Sequence, residues 1–267
     1  MRHLVLALVP IAMALAGAAS ARPATAAPFA VVELFSSEGC SSCPPAEQLL
    51  AEIAADARRS GRNVLTLEFH VDYWNSGGWT DPFSARAYTQ RQEQYERALD
   101  ERSLYTPQMI VNGTHAFVGS DRGEARRSVE AALARPATVQ ALVSAASAGG
   151  GTRVEYQVAG APDDAVLCVA VVESGLVSRV LRGENTGRTL AHESVVRAFT
   201  TRPLAGHAAG SLELDAGPPA AGRALQAIAF VQDPRTMAIL GAGRPIRFAG
   251  AAAGAGLPKL NPPARDR

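Results

Sequence analysis

Hydrophobic positions change their period several times along the chain, and each change marks an element. Residues 30–35 (AVVELF) are a short apolar run interrupted by Glu33 and predict a buried strand. A turn over 36–39 leads into Cys40-Ser41-Ser42-Cys43-Pro44-Pro45. Proline is tolerated in a helix only in its first turn, so the two prolines mark a helix start. Leu49, Leu50, Ile53, Ala54 and Ala57 then recur at helical spacing, and Gly61 ends the helix. Residues 64–71 (VLTLEFHV) predict a second strand, parallel to the first through a right-handed crossover. Asp81-Pro82 fits an N-cap and N1 proline for a helix over about 83–99, with Tyr88, Tyr95 and Leu99 on one side. Thr106-Pro107 opens a strand over 108–111, Asn112-Gly113 signals a hairpin, and 114–118 form the return strand. Ser120 and Asp121 can cap a last helix over about 122–134.

Beyond residue 135 the pattern is different. Residues 136–151 are rich in Ala and Ser, end in three glycines and read as a linker. Short strands follow over 153–158, 166–172, 194–200, 212–214 and 225–232, separated by Gly/Pro turns. The expected architecture is an α/β domain of order β-α-β-α-β-β-α over 28–135, followed by a small all-β, sandwich-like domain over 152–249. Residues 250–267 read as a disordered tail.

The amino terminus looks like a leader rather than part of the fold. Arg2 and His3 precede an apolar run over 4–16, and Ala19-Ser20-Ala21 offers a cleavage site, with Ala24-Thr25-Ala26 as a second. Residues 4–21 carry no charge, as in a membrane anchor, but Pro10, Gly17 and Ser20 interrupt a run short for a ~20-residue span. A cleaved signal peptide over 1–21 is expected, leaving a periplasmic or secreted, monomeric protein free of the membrane, in a compartment that tolerates disulfides. The 26 basic side chains, of which only Lys259 is lysine, nearly balance 25 acidic ones. That balance argues against nucleic acid as a partner, since phosphate neutralisation needs a basic excess.

The chain has three cysteines. Cys168, inside VLCVAVV, reads as a small core residue. Cys40 and Cys43 enclose a ring of four residues, too small to be an effective staple: about 2 kcal/mol by the loop-entropy estimate. A redox pair needs this spacing, with the first thiol exposed at a helix end and the second one turn further in. The helix N-terminus favours thiolate at Cys40, so Cys40 is expected to attack and Cys43 to resolve.

The strand AVVELF, the helix start GCSSCPP and Tyr105-Thr106-Pro107 before Asn112-Gly113 resemble the thioredoxin-like superfamily over roughly 29–135. The resemblance implies that Pro107 is cis and faces the dithiol, that the Thr106 backbone positions substrate, and that Glu33 accepts the Cys43 proton. Over the whole chain, ELFSSEGCSSCPPA, FHVDYW, YTPQMIVNG and RGENTGRTLAHESVVR resemble the secreted bacterial family known as domain of unknown function 1223. Ser-Ser between the cysteines and Gly39 before them depart from reducing thioredoxins.

These readings predict thiol–disulfide exchange without an organic cofactor, acting on exported protein thiols and disulfides and recharged by a redox partner protein. Ligands of open α/β sheets bind at the carboxyl ends of the strands. The loop carrying His70, Asp72, Trp74 and Trp79 is therefore expected beside Cys40, where its aromatic residues would wall in a substrate segment. Two alternatives stay open. One is a copper or zinc site made by Cys40, Cys43 and His70. The other is a non-catalytic scaffold whose β domain binds a partner, with the 183–197 segment (GENTGRTLAHESVVR) as its most motif-like part.

Overall fold

The structure is a computed structural model and describes residues 27–148 and 151–248. The expected leader over 1–21 and tail over 250–267 lie outside the described residues. The first half runs β1 (Ala30–Ser36), α1 (Pro44–Ser60), β2 (Val64–His70), a 3-10 turn (Asn75–Gly77), α2 (Arg86–Leu99), β3 (Gln108–Val111), β4 (His115–Val118) and α3 (Arg122–Leu133). Strands only follow: β5 (Gln140–Ala148), β6 (Gly151–Ala159), β7 (Val166–Glu173), β8 (Leu176–Arg179), β9 (Thr189–His192) and β10 (Val195–Pro203). The last four are β11 (Ala209–Leu214), β12 (Leu225–Gln232), β13 (Ile239–Ala242) and β14 (Ile246–Phe248). No helix among the described residues is long and apolar enough to cross a membrane.

The expected division into a thioredoxin-like α/β domain and a separate all-β domain is not what forms. One mixed sheet of nine strands crosses the whole protein in the order β13-β12-β7-β10-β2-β1-β3-β4, with β14 also on β12. The join is β2–β10, parallel, with Val195 opposite Glu68. Strands dominate the described residues, with three α-helices against fourteen strands. Local periodicity reveals elements but not which distant strands pair, and β10 pairs with β2 across more than a hundred residues of chain.

The join follows from burial. A sandwich strand with a wet outer face alternates apolar and polar residues, whereas VLCVAVVE in β7 is buried along nearly its whole length. Leu167, Val169 and Val171 pack with Val143, Val154 and Tyr156 of the three-stranded sheet β11-β6-β5. Cys168, Ala170 and Val172 face the other way and share a core with Phe35, Phe69, Tyr88 and Tyr95. The second core thus includes residues from β1, β2 and α2, and both halves bury one apolar mass. Residues 140–148, read from their Ala/Ser composition as linker, form β5, whose Ala141, Val143 and Ala145 point inward.

Within the first half, β1 and β2 pair in parallel from Ala30 opposite Val64 to Ser36 opposite His70. Pro44 and Pro45 occupy the first turn of α1, and Gly61 closes it with φ 67°. Val32 and Leu34 of β1 face α1 through Ala46, Leu49 and Leu50, while Val31 and Phe35 face α2. This alternation decides which polar residues of β1 and β2 can meet the dithiol.

The β3–β4 turn spans three residues, since Val111 pairs with His115. Asn112 (φ 47°) and Gly113 (φ 70°) are left-handed. The turn is also a junction: the Val31 N–H donates to Asn112 Oδ1 (2.7 Å) and the Ile239 N–H to the Asn112 carbonyl (3.0 Å). A Cβ on Gly113 would strike the Met237 carbonyl, whereas one on Gly61 would meet nothing. Gly113→Ala is expected to cost about 2–3 kcal/mol, against about 1 kcal/mol for Gly61→Ala, which carries only the left-handed penalty. Equal losses in urea unfolding would rule out the steric part of this account.

Candidate functional site

The carboxyl ends of β1 and β2 carry the chemistry. Cys40 and Cys43 are joined as a disulfide with Cα atoms 5.5 Å apart. The Cys40 N–H donates to the Ser37 carbonyl (3.1 Å), turning the chain back from β1. The Cys43 carbonyl accepts from Ala46 and Glu47, so Cys43 sits as the N-cap residue of α1. Cys40 Sγ lies 3.9 Å from the Thr106 carbonyl oxygen and 3.3 Å from Ser42 Oγ, whose hydroxyl can donate to it. The Thr106–Pro107 peptide is cis. Trp74 closes this side, its indole N–H donating to Thr106 Oγ1 (2.8 Å). Cys40, Cys43, Thr106, Pro107 and Trp74 are therefore brought together.

Cys40 is not exposed, contrary to what its position before a helix start predicts. Both cysteines are fully buried, while Ser41 and Ser42 between them are exposed. The turn between β8 and β9 is bonded onto this loop. Asn185 donates through Nδ2 to the carbonyls of Glu38 (2.9 Å) and Cys40 (3.0 Å), and its Oδ1 accepts from Arg188 (2.8 Å). The Glu184 carboxylate accepts the Ser41 N–H (2.9 Å), and its bonds to the Ser41 hydroxyl and backbone lower its pKa. A strap from the second half of the chain thus lies across the dithiol loop.

Behind the loop is a buried cluster of carboxylates and imidazoles. Thr66, Glu68 and His70 alternate with Leu65, Leu67 and Phe69 and so fall on the α1 side of β2. His70 Nδ1 is 2.7 Å from Asp81 Oδ2, and its Nε2 is 3.1 Å from Glu68 Oε1. His192, at the end of β9, places Nδ1 3.2 Å from the same Glu68 oxygen and Nε2 3.1 Å from Glu38 Oε1. Glu47 in the first turn of α1 has Oε2 3.7 Å from His192 Nδ1 and receives the Ser36 hydroxyl on Oε1 (2.5 Å). Phe83 lies edge-on to both imidazoles, with ring centroids 5.4 and 5.5 Å away.

Burial and mutual charge set the protonation of the cluster. Burial, then the Glu68 charge, push Glu47 up to about 7. Burial alone would raise Glu68, but the two facing imidazoles outweigh it and hold Glu68 at about 2. Burial disfavours charge on His192, yet bonds to Glu38 and Glu68 lift it to about 9. His70 is raised well above its usual value because Asp81 and Glu68 outweigh its burial.

Other expected site residues are placed elsewhere or bonded differently. Glu33 lies on the α2 side of β1, away from α1, and pairs with Arg91 (2.6 and 3.0 Å) and the Tyr95 hydroxyl (2.5 Å). It is the counter-charge of a buried arginine, not a proton acceptor for Cys43. Both sulfurs are in the disulfide, so the Cys40/Cys43/His70 metal set is not assembled. Asp72 binds Thr89 of α2 through its N–H (3.1 Å) and carboxylate (2.6 Å), anchoring the loop to α2. Trp79 donates to Glu38 Oε2 (2.7 Å) and supports the buried cluster instead of lining a substrate wall.

Glu38, Glu47, Glu68, Asp81, Glu184, Asn185 and His192 were missed as site residues. The usable signals were an acid in the apolar strand VLTLEFH and the polar richness of the 183–197 segment, for which the sequence suggested no chemistry. Asp81 fits a helix cap by its sequence, whereas its carboxylate holds His70 and the Glu38 N–H (2.8 Å).

Among solved structures, the chain is similar to protein AGR_C_4864 from Agrobacterium tumefaciens: 26% identity, 86% of this chain, 98% of that one, TM-score 0.58. It is also similar to HBP35 of Porphyromonas gingivalis: 13% identity, 91% of this chain, 79% of that one, TM-score 0.56, a likeness of fold alone. No curated protein matches it. The family described as "Protein of unknown function (DUF1223)" matches residues 31–232, and the chain belongs to that family.

Proposed function

We propose that the protein is an exported thiol–disulfide exchange protein using Cys40 and Cys43. The observation that carries this reading is the disulfide at the start of α1, with Cys40 Sγ facing the Thr106–Pro107 segment. The sequence resemblance to thioredoxin-like proteins, in the strand AVVELF, the helix start GCSSCPP and Tyr105-Thr106-Pro107, supports this reading. Release from a leader over 1–21 into the periplasm or medium, action as a monomer, and recharging by a partner protein complete the proposal.

In the reducing direction the Cys40 thiolate attacks one sulfur of a substrate disulfide. A Cys40–substrate bond forms as the substrate S–S bond breaks, and the released substrate thiolate takes up a proton. Cys43 loses its proton and attacks Cys40 Sγ, closing the Cys40–Cys43 disulfide and releasing the second substrate thiolate. The protein is oxidised by two electrons and the substrate reduced by two. The reverse sequence oxidises a substrate dithiol. The N-terminal end of α1 stabilises the Cys40 thiolate in either direction.

Equilibration in graded glutathione buffers, followed by alkylation and mass measurement, tests the couple. A reduction potential of roughly −120 to −270 mV is expected, the range of exchanging couples; one below about −300 mV marks a structural bridge and overturns the proposal. Cys43→Ala should accumulate Cys40 mixed disulfides with partner thiols, and their absence would remove the assigned order of attack.

A further inference from the structure

We propose that Glu68, His70 and His192, with Glu47 drawn in as a fourth ligand, bind one divalent transition-metal ion of the zinc type, at a site separate from the dithiol and independent of its activity. Each of these four side chains has one donor atom tied to the protein, and the other donor atoms of Glu68, His70 and His192 are turned toward a common point. His70 gives Nδ1 to Asp81 and turns Nε2 inward. His192 gives Nε2 to Glu38 and turns Nδ1 inward. Glu68 Oε2 accepts the Glu193 N–H (3.2 Å), leaving Oε1 between the two rings. Glu47 Oε1 is held by Ser36, leaving Oε2 on the His192 side. Three ligands from β2 and the end of β9 converge, Glu47 of α1 lies beside them, and all four side chains are buried.

The spacing suits an ion. The inward atoms of Glu68, His70 and His192 all lie within 4.8 Å of one another. The edges from Glu68 Oε1 to His70 Nε2 and His192 Nδ1 are 3.1 and 3.2 Å, and that from His192 Nδ1 to Glu47 Oε2 is 3.7 Å. Bonds of 2.0–2.2 Å to a tetrahedral ion put neighbouring ligands roughly 3.3–3.6 Å apart, so small shifts seat the three assembled ligands and a movement of the Glu47 carboxylate toward them completes the shell.

The outer contacts follow the pattern of metal-bound histidine, whose second nitrogen is held by a carboxylate. Asp81 and Glu38 fill that role and are themselves fixed, Asp81 by the N–H groups of Glu38 and Phe83, and Glu38 by Trp79. Two nitrogens and two carboxylate oxygens select zinc or its first-row neighbours. Cu(I) prefers sulfur, and calcium and magnesium prefer all-oxygen shells.

The test uses the oxidised protein, stripped with a chelator and titrated with Zn²⁺ by calorimetry and with Co²⁺ by visible absorption. One ion per chain is expected, with ligand-field bands of a four-coordinate nitrogen/oxygen site and no sulfur charge-transfer band. Cys40→Ser/Cys43→Ser should bind zinc as the parent does while losing exchange, which separates this site from the dithiol reading. His192→Gln should lose affinity by about 100-fold or more, and Asp81→Asn, which touches no ion, by about 10–100-fold. Absence of stoichiometric binding by the parent protein overturns the proposal. So does zinc affinity unchanged in a His192→Gln variant of native circular dichroism, or a charge-transfer band that disappears with the cysteines. Should the variants fail to fold, the parent protein's stoichiometry and cobalt spectrum still decide.

Discussion

Arg91→Ala is expected to lower the free energy of unfolding by about 3–5 kcal/mol, the range for breaking a buried ion pair from one side. The guanidinium makes two bonds to Glu33 and lies over four rings, nearest Phe199 with its carbon 4.6 Å from the centroid and next Tyr95 at 5.1 Å. Its removal leaves the Glu33 carboxylate buried, with the Tyr95 hydroxyl as its remaining partner. Gln232 also loses Arg91 as a donor to its Oε1 (3.3 Å). Burial pushes the neighbouring Cys168 thiol up to about 12, so it stays neutral and adds no second negative charge beside Glu33. Replacing both partners, Glu33→Leu with Arg91→Met, should recover most of the loss, because no charge is then left unpaired. Urea unfolding of the three variants measures this. A double variant no more stable than Arg91→Ala would show that the arginine acts through ring packing instead of charge.

Asn185→Ala is expected to speed reduction of the Cys40–Cys43 disulfide by dithiothreitol about 5–150-fold under native conditions. With both cysteines buried, reductant reaches sulfur only after the strap opens, and its rate follows the population of open protein. Asn185 bonds two carbonyls of the dithiol loop and positions Arg188, and its loss leaves those carbonyls short of a donor. An opening penalty smaller by about 1–3 kcal/mol gives that acceleration. Glu184→Gln keeps a weaker, uncharged acceptor for the Ser41 N–H and should act in the same direction by a smaller factor. An Asn185→Ala rate equal to that of the parent protein would mean that reductant enters by another route.

The sequence made legible those features that depend on neighbours in the chain. Pro44-Pro45, Gly61, Asp121 and Asn112-Gly113 act within a few residues, and the elements they bound lie close to where the pattern put them. Cys40, Cys43 and Thr106-Pro107 were found because a dithiol at a helix start is a local motif. The pairing of β10 with β2 was not legible, although β7 and β12 carried its trace in runs apolar on both faces, which require a cover on each side. Glu33 and Glu68 look alike in sequence, each an acid in an apolar strand, and the pleat sends one to Arg91 and the other to the imidazoles. That choice depends on strand register and on partners far along the chain. The β5 segment was obscured by its small residues, whose alternation is weak in hydrophobicity yet sufficient for burial against β6.

The parallel join of β2 to β10 also imposes an order on synthesis. A chain emerging from its amino terminus has made β1, α1, β2, β3 and β4 long before residue 195 exists, so β2 waits as an open edge, ready to pair with any strand that meets it. The residues that seal the dithiol, Glu184 and Asn185, arrive in the same late stretch. For most of translation the cysteines are therefore reachable by cellular oxidants and reductants. The window in which their pairing is decided closes when the second half of the sheet zips onto the first.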